Sequence, residues 1–288
     1  MIESADGPGG AAGDQDWLAI WRQMYDAERA QTEALAAARE PADDHWAHQA
    51  ARFARATGRA PQPDDFMRFV LPHLQPDDHV LDIGAGAGRH AVYLARRNLH
   101  VTAVEPSPSM RQQLQQRLAD TPGAELTLVP EGWPDATTPM VDVAICAHVI
   151  YGVREIGPFL LHMDARTRRA CFVLVGERQP AYYINPFWQR IYGEPRAPLP
   201  GARECLNVLH QLGIPARTAR LPASRYLFAD QHEALADLRW RLRLPPDSAY
   251  DAALHTAMHE LLEPGAEGQL MPKSQLAQVM VLWWEPRP

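Results

Sequence analysis

The run from Val80 to Ala95, VLDIGAGAGRHAVYLA, limits what this chain can fold into more than any other. A short apolar stretch reaches Asp82, then Gly84, Gly86 and Gly88 alternate with Ala85 and Ala87, and an apolar helical pattern begins. A strand that passes into a helix through alternating glycines is a backbone device. Without Cβ atoms the chain turns tightly and a ligand can reach the main chain. The first turn of the helix adds N–H groups with no intrahelical partner, which suit an anionic ligand group. Such a turn belongs to open α/β sheets, where ligands bind beyond the carboxyl ends of parallel strands.

The flanking pattern agrees. HVLDI (79–83), VTAV (101–104), ELTLV (125–129), VDVAIC (141–146) and ACFVLVG (170–176) are short apolar runs. Helical spacing lies between them, as in Met110, Leu114 and Leu118. This alternation predicts a doubly wound α/β sheet with helices on both faces. QVMVLWW (278–284) is a further strand candidate.

Residues 1–15 read as a flexible tail, 16–74 as an N-terminal helical cap, and 75–288 as the core with a helical insertion at about 229–266. In the cap, Trp17, Ile20, Trp21 and Met24 share a helical face, with Tyr25 beside them. A second helix is expected from Asp43 or Asp44, through Trp46, Ala50 and Phe53, to Gly58. A short third carries Phe66, Phe69 and Val70. Residues 180–201, PAYYINPFWQRIYGEPRAPLPG, read as a long ordered loop with a turn at Asn185–Pro186. A helix near 202–212 and a strand near 215–221 follow. Asp230 and Glu233 have capping-box spacing before Leu235, Leu238 and Leu242, and another helix carries Leu254, Met258 and Leu261.

Two details narrow the ligand. The dinucleotide fingerprint wants a third glycine where this chain has Arg89. Asp82, two residues before the first glycine, would repel a pyrophosphate but attract a cationic amino group. S-adenosylmethionine offers that cation, with a carboxylate for the helix N–H groups. Glu105 ends the second strand, 17 residues after Gly88, where a carboxylate can accept both ribose hydroxyls; Pro106 then redirects the chain.

With these residues in place, the run from about 79 to 176 resembles the core of class I S-adenosylmethionine-dependent methyltransferases. The resemblance implies a Rossmann-like sheet of seven strands, the last antiparallel and supplied by 278–284, with the added helices as a cap. It implies S-adenosylmethionine as cofactor, held by Asp82, Gly84, Ala85, Gly86, Gly88, Glu105 and Pro106. After the third strand, either Glu131 meets the adenine as a polar partner or Trp133 packs on its face; Trp133 as a core anchor is the alternative. By position in the family fold, Ala147 and His148 line the methionine end.

Composition bears on the partner. With 28 Lys+Arg against 35 Asp+Glu the net charge is −7, which disfavours a phosphate-gripping surface. The arginine clusters 166, 168, 169 and 239, 241, 243 read as solvated faces. Cys146, Cys171 and Cys205 match no zinc spacing and form no disulfide framework, so no metal is expected and a reducing cytoplasm fits. The acidic N-terminus lacks signal-peptide features, and no apolar run approaches the roughly 20 residues that span a bilayer.

Methyl transfer from a sulfonium needs orientation and a dry site more than a dedicated catalytic group. His148 is the candidate general base; a structural or cofactor-side role is its alternative. Tyr25, Tyr151 and Trp188, with Tyr182, Tyr183 and Phe187, are candidate walls for a small, partly apolar organic acceptor, and the N-terminal helices a candidate lid. The competing readings are a non-catalytic S-adenosylmethionine-binding scaffold or regulator, an RNA methyltransferase, and, more remotely, a dinucleotide oxidoreductase. Oligomeric state is not legible at this level.

Overall fold

Seven strands form one sheet in the order β3-β2-β1-β4-β5-β9-β6. They are β1 (His79–Ile83), β2 (His100–Val104), β3 (Thr127–Val129), β4 (Val141–Ala147), β5 (Thr167–Gly176), β6 (Arg217–Leu221) and β9 (Val279–Trp284). β3, β2, β1, β4 and β5 are parallel, and β9 runs antiparallel between β5 and β6. This is the expected Rossmann-like arrangement. The computed structural model describes residues 15–36, 44, 46–47, 49–56, 62–179, 182–222, 226–245, 247–274 and 278–287. The expected tail, apart from residue 15, and the expected helix stop at Gly58 lie outside them.

Beside the strands run α1 (Trp17–Ala36), α2 (Ala50–Ala56), α3 (Asp65–Val70), α4 (Arg89–Ala95), α5 (Pro108–Ala119), α6 (Ile156–Ala165), α7 (Asn185–Tyr192), α8 (Ala202–Gln211), α9 (Gln231–Arg241) and α10 (Asp251–Leu261). A short hairpin, β7 (Leu262–Pro264) and β8 (Leu270–Pro272), follows α10. Because the sheet is covered on both faces, its central strands are apolar nearly throughout rather than alternating. Leu81, Ile83, Ala144, Cys146 and Val173 pack with α6 and α8 on one face. Val80, Ala103, Val143, Ile145 and Phe172 pack with α3 and α4 on the other. β2 lies on one side of β1 and β4 on the other, so the connections leave in opposite directions and open a crevice at the carboxyl ends of β1 and β4.

Three expectations need correction. First, 180–201 is not one loop. A 3-10 turn at Tyr182–Ile184 leads straight into α7, and Asn185–Pro186 opens that helix instead of forming a separate turn. Proline suits a first helical turn because its missing N–H would have no partner there. Tyr183, Phe187 and Trp188 are fully buried with Leu238, Leu242, Leu254 and Met258. The loop aromatics and the insertion helices thus build one shared core. Second, α1 is not a detachable lid. Trp21 is completely buried among the residues of α6 and α8, and its Nε1 donates to the Val153 carbonyl at 2.7 Å. Asp26–Arg154 and Arg22–Glu155 ion pairs flank it. Third, Arg241 is not on a solvated face: it pairs with the fully buried Asp237. The second expected helix also starts late, at Ala50. Among the described residues no helix is long and apolar enough to cross a membrane.

Candidate active site

The glycine turn sits at the carboxyl end of β1. The Gly84 and Ala85 N–H groups donate to the Val104 carbonyl at 2.8 and 3.0 Å, which ties the turn to the end of β2. Gly84 and Gly86 both have left-handed φ, +70° and +56°. Their surroundings differ. A Cβ on Gly84 would run into the Val149 side chain, closer than real Cβ atoms come. A Cβ on Gly86 would meet only Phe53 Cε1, at 3.7 Å. Gly84 is therefore required by packing, whereas a Cβ on Gly86 would make only an ordinary contact with Phe53. Gly88 opens α4.

Two carboxylates flank this turn. Glu105 is 6% exposed, and its two oxygens accept from Gly86 N at 2.7 Å and Ser107 N at 2.9 Å. Burial raises its pKa, and those two N–H groups oppose the rise. Asp82 is 2% exposed, and its Oδ2 has no hydrogen-bond partner. Burial, reinforced by the Glu105 charge and opposed by His90 and the Ala91 N–H, pushes its pKa up to about 6. A buried carboxylate with an orphaned oxygen is costly, and a cationic partner relieves the cost.

Across the crevice, β4 ends at Ala147 and the chain kinks at His148, whose φ is +60°. The His148 N–H donates to the Leu174 carbonyl at 2.9 Å. More than a third of His148 is exposed, yet the surrounding protein holds its pKa down to about 4, with the His90 and Arg89 charges adding to the effect. The His148 Nδ1 lies 3.4 Å from the Tyr151 hydroxyl, and the two rings stack. Tyr151 is buried and its oxygen accepts from Gly176 N at 2.5 Å. Burial pushes this phenol's pKa well above the usual range.

The N-terminal segments form the rim. Asp64 caps α3 by accepting from Met67 N at 2.7 Å, and its other oxygen meets His90 Nε2 at 2.9 Å and Arg89. Asp44 accepts from Ser107 Oγ and Ser109 N, both at 2.9 Å. Trp46, Ala50 and Ala54 pack on Ala87 and Met110. Arg111 donates to the Glu105 and Pro106 carbonyls at 3.0 and 2.7 Å.

Asp82, Gly84, Ala85, Gly86, Gly88, Glu105 and Pro106 thus surround one turn, while Ala147, His148 and Tyr151 lie at the end of β4 and just beyond it. Glu131 is exposed, just past the carboxyl end of β3, where Arg111 also reaches the Pro130 carbonyl. Trp133 donates to the Phe159 carbonyl at 3.0 Å and packs against His162, as a core anchor does. Tyr25 is half-buried on α1. Trp188 lies inside the helical core with Arg196 over its ring, so it walls no opening in this structure. Sequence reading missed Asp44, Asp64, His90 and Ser107. Ser107 before Pro108 is a helix-start signal, but nothing local shows which distant residue it meets.

Residues 80–162 match the family model of a methyltransferase domain. A ribosomal RNA small subunit methyltransferase A of Mycobacterium sp. (strain KMS) is 36% identical over 111 residues, 34% of this chain and 35% of that protein. A magnesium-protoporphyrin O-methyltransferase of Rhodobacter capsulatus is 29% identical over 130 residues, 43% of this chain and 57% of that one. The chain thus spans about a third of the first relative and just over half of the second. The crystal structure of the YcgJ protein from Bacillus subtilis superposes with a TM-score of 0.53 at 11% identity, covering 77% of this chain and 97% of the other, a likeness of fold.

Proposed function

We propose, from the premise that this chain belongs to the class I S-adenosylmethionine-dependent methyltransferase family, that it methylates a small, partly apolar organic acceptor. One observation carries the cofactor half: Asp82, fully buried with an orphaned oxygen, stands beside Glu105, which the Gly86 and Ser107 N–H groups hold in place. These residues fit the ligand. Asp82 would face the charge of its amino group and Glu105 the ribose hydroxyls, and the glycine turn would let the nucleoside approach the main chain beside Phe53. When bound, this cofactor supplies a methyl group on a cationic sulfur, which passes to a nucleophile as the carbon–sulfur bond breaks.

The chain's part is to orient and to exclude water. His148 stands at the end of β4 with its pKa held near 4, so it is neutral at pH 7. A neutral imidazole can accept a hydrogen bond from an incoming hydroxyl or amine and so align its lone pair. As a proton acceptor it is weak, because a general base works best with a pKa near the working pH. His148 is therefore assigned to orientation, and the Tyr151 hydroxyl at 3.4 Å supports its ring.

The acceptor half rests on the additions to the sheet. α7, α9 and α10 build a separate apolar core, and the net charge is −7. The Rhodobacter relative is named for a small macrocycle and gives a precedent for such an acceptor. The mycobacterial relative is named for ribosomal RNA and supports the competing reading. A transfer assay with methyl-labelled S-adenosylmethionine separates them, using small-molecule extract, total RNA and total protein as parallel acceptors. Label is expected in the small-molecule fraction. Label in RNA or protein would overturn the acceptor assignment. No transfer to any fraction, with tight cofactor binding, would favour a non-catalytic binding role.

A further inference from the structure

α2 is only seven residues long, too short to be stable by itself, so its neighbours fix its place. One side of it meets the glycine turn. Ala50 and Ala54 pack with Ala87 and Met110, and the Phe53 ring edge lies over Gly86, whose N–H holds Glu105. The residue before Phe53 points elsewhere. Arg52 is 12% exposed at its side chain and reaches into the helical unit formed by α7, α9 and α10. Its Nε donates to Glu233 at 2.7 Å, one terminal nitrogen meets Asp237, and the other meets the Tyr226 hydroxyl. Its guanidinium also lies over the Tyr226 and Phe228 rings.

Asp237 is 0% exposed and also takes Arg241 and the Tyr183 hydroxyl. Two cations thus face two carboxylates in a pocket walled by aromatic rings. The fork geometry matters more than the charge. A planar guanidinium can serve three acceptors in fixed directions at once, whereas an ammonium offers a single point charge. The clasp joins the segment over the Gly86 turn to α9, on the element expected to confine the acceptor.

We infer that Arg52 is a positioning residue: by clasping Glu233, Asp237 and Tyr226 it holds Phe53 over the Gly86 turn and so sets cofactor affinity through the helical unit. The inference rests on the cofactor reading above. It differs from a purely structural role in one respect. If Arg52 acts through Phe53, its loss has no further effect on cofactor affinity once Phe53 has been removed.

A double-mutant cycle on the full chain tests this, read by calorimetry with S-adenosylhomocysteine below the melting transition of every variant. Arg52→Met leaves Asp237 still paired with Arg241 and Tyr183, so its buried charge keeps partners. Glu233→Gln and Tyr226→Phe loosen the same clasp from the α9 side, should Arg52→Met fold poorly. We expect Arg52→Met and Phe53→Ala each to weaken binding about tenfold, and the double variant to bind as Phe53→Ala does. Arg52→Lys should fall between wild type and Arg52→Met. Multiplying losses in the double variant, or unchanged affinity in Arg52→Met, would overturn the inference while leaving the cofactor assignment intact. Failure of the wild-type chain to bind S-adenosylhomocysteine would overturn the cofactor assignment itself.

Discussion

Gly84 and Gly86 share a left-handed backbone but face different neighbours, and substitution should separate them. Alanine at either position meets a left-handed penalty of about 1–2 kcal/mol. At Gly84 it also collides with Val149, so Gly84→Ala should lower the apo melting temperature well beyond that penalty. Gly86→Ala has room in the apo protein and should cost little more than the penalty, yet lose cofactor binding because its methyl group enters the ligand's space. Thermal melts and calorimetry on the two variants check this; equal destabilisation would make Gly86 a folding residue. Asp82 behaves in the opposite sense. Its folded-state pKa of about 6 lies above the ordinary 3.8, so the folded state holds the proton more tightly than the unfolded state. Its penalty is absent below about pH 4, grows as pH rises through 6, and is then constant at about 3 kcal/mol. Asp82→Asn should therefore raise apo stability at pH 7.5 but not at pH 4, while weakening S-adenosylmethionine binding. Melts at the two pH values decide it, and a loss of stability at pH 7.5 would show that Asp82 is a structural anchor. Asp82, the glycines and Glu105 were legible in the sequence because their chemistry is tied to short spacings at strand ends. Asp64–His90 and Arg52–Asp237 were not, because 26 and 185 residues separate the partners.

Helix α1 and the 180–201 segment show what pattern alone leaves open at the level of elements. The amphipathic face of Trp17, Ile20, Trp21 and Met24 announced a helix but not what it packs against. In the fold Trp21 is fully buried on α6 and α8, and α1 is a layer of the core. Trp21→Ala should accordingly destabilise the apo protein by about 3–5 kcal/mol, as large-to-small changes of buried tryptophans do. Denaturant titration measures it. Unchanged stability with lost turnover would restore the lid. The 180–201 segment was misread because it is rich in proline and glycine, yet Pro186 sits where a helix begins and Gly193 closes α7 in a left-handed conformation. Its aromatics found their partners some 50 residues onward, in α9 and α10, a distance at which periodicity carries no information.

At the scale of the molecule, the doubly wound sheet followed from the alternation of elements and its antiparallel last strand from the family resemblance, whereas the strand order and the packing of the additions came only with the structure. The N-terminal segments close over the glycine turn through Asp44, Asp64 and α2, and the helical unit holds α2 from the far side through Arg52. The glycine turn and α9 are thereby held in one body through α2. The central claim is that this body is built for a cationic nucleoside cofactor and not for a dinucleotide. Calorimetry at pH 7.5 with S-adenosylhomocysteine and with NAD, on wild type and Glu105→Ala, tests it most directly. Each charge-assisted hydrogen bond that Glu105 would accept from the ribose is worth about 1.5–3 kcal/mol, so its removal should weaken binding by at least about tenfold. The account predicts one S-adenosylhomocysteine per chain, no NAD, and that loss in Glu105→Ala; binding of NAD without S-adenosylhomocysteine would contradict it.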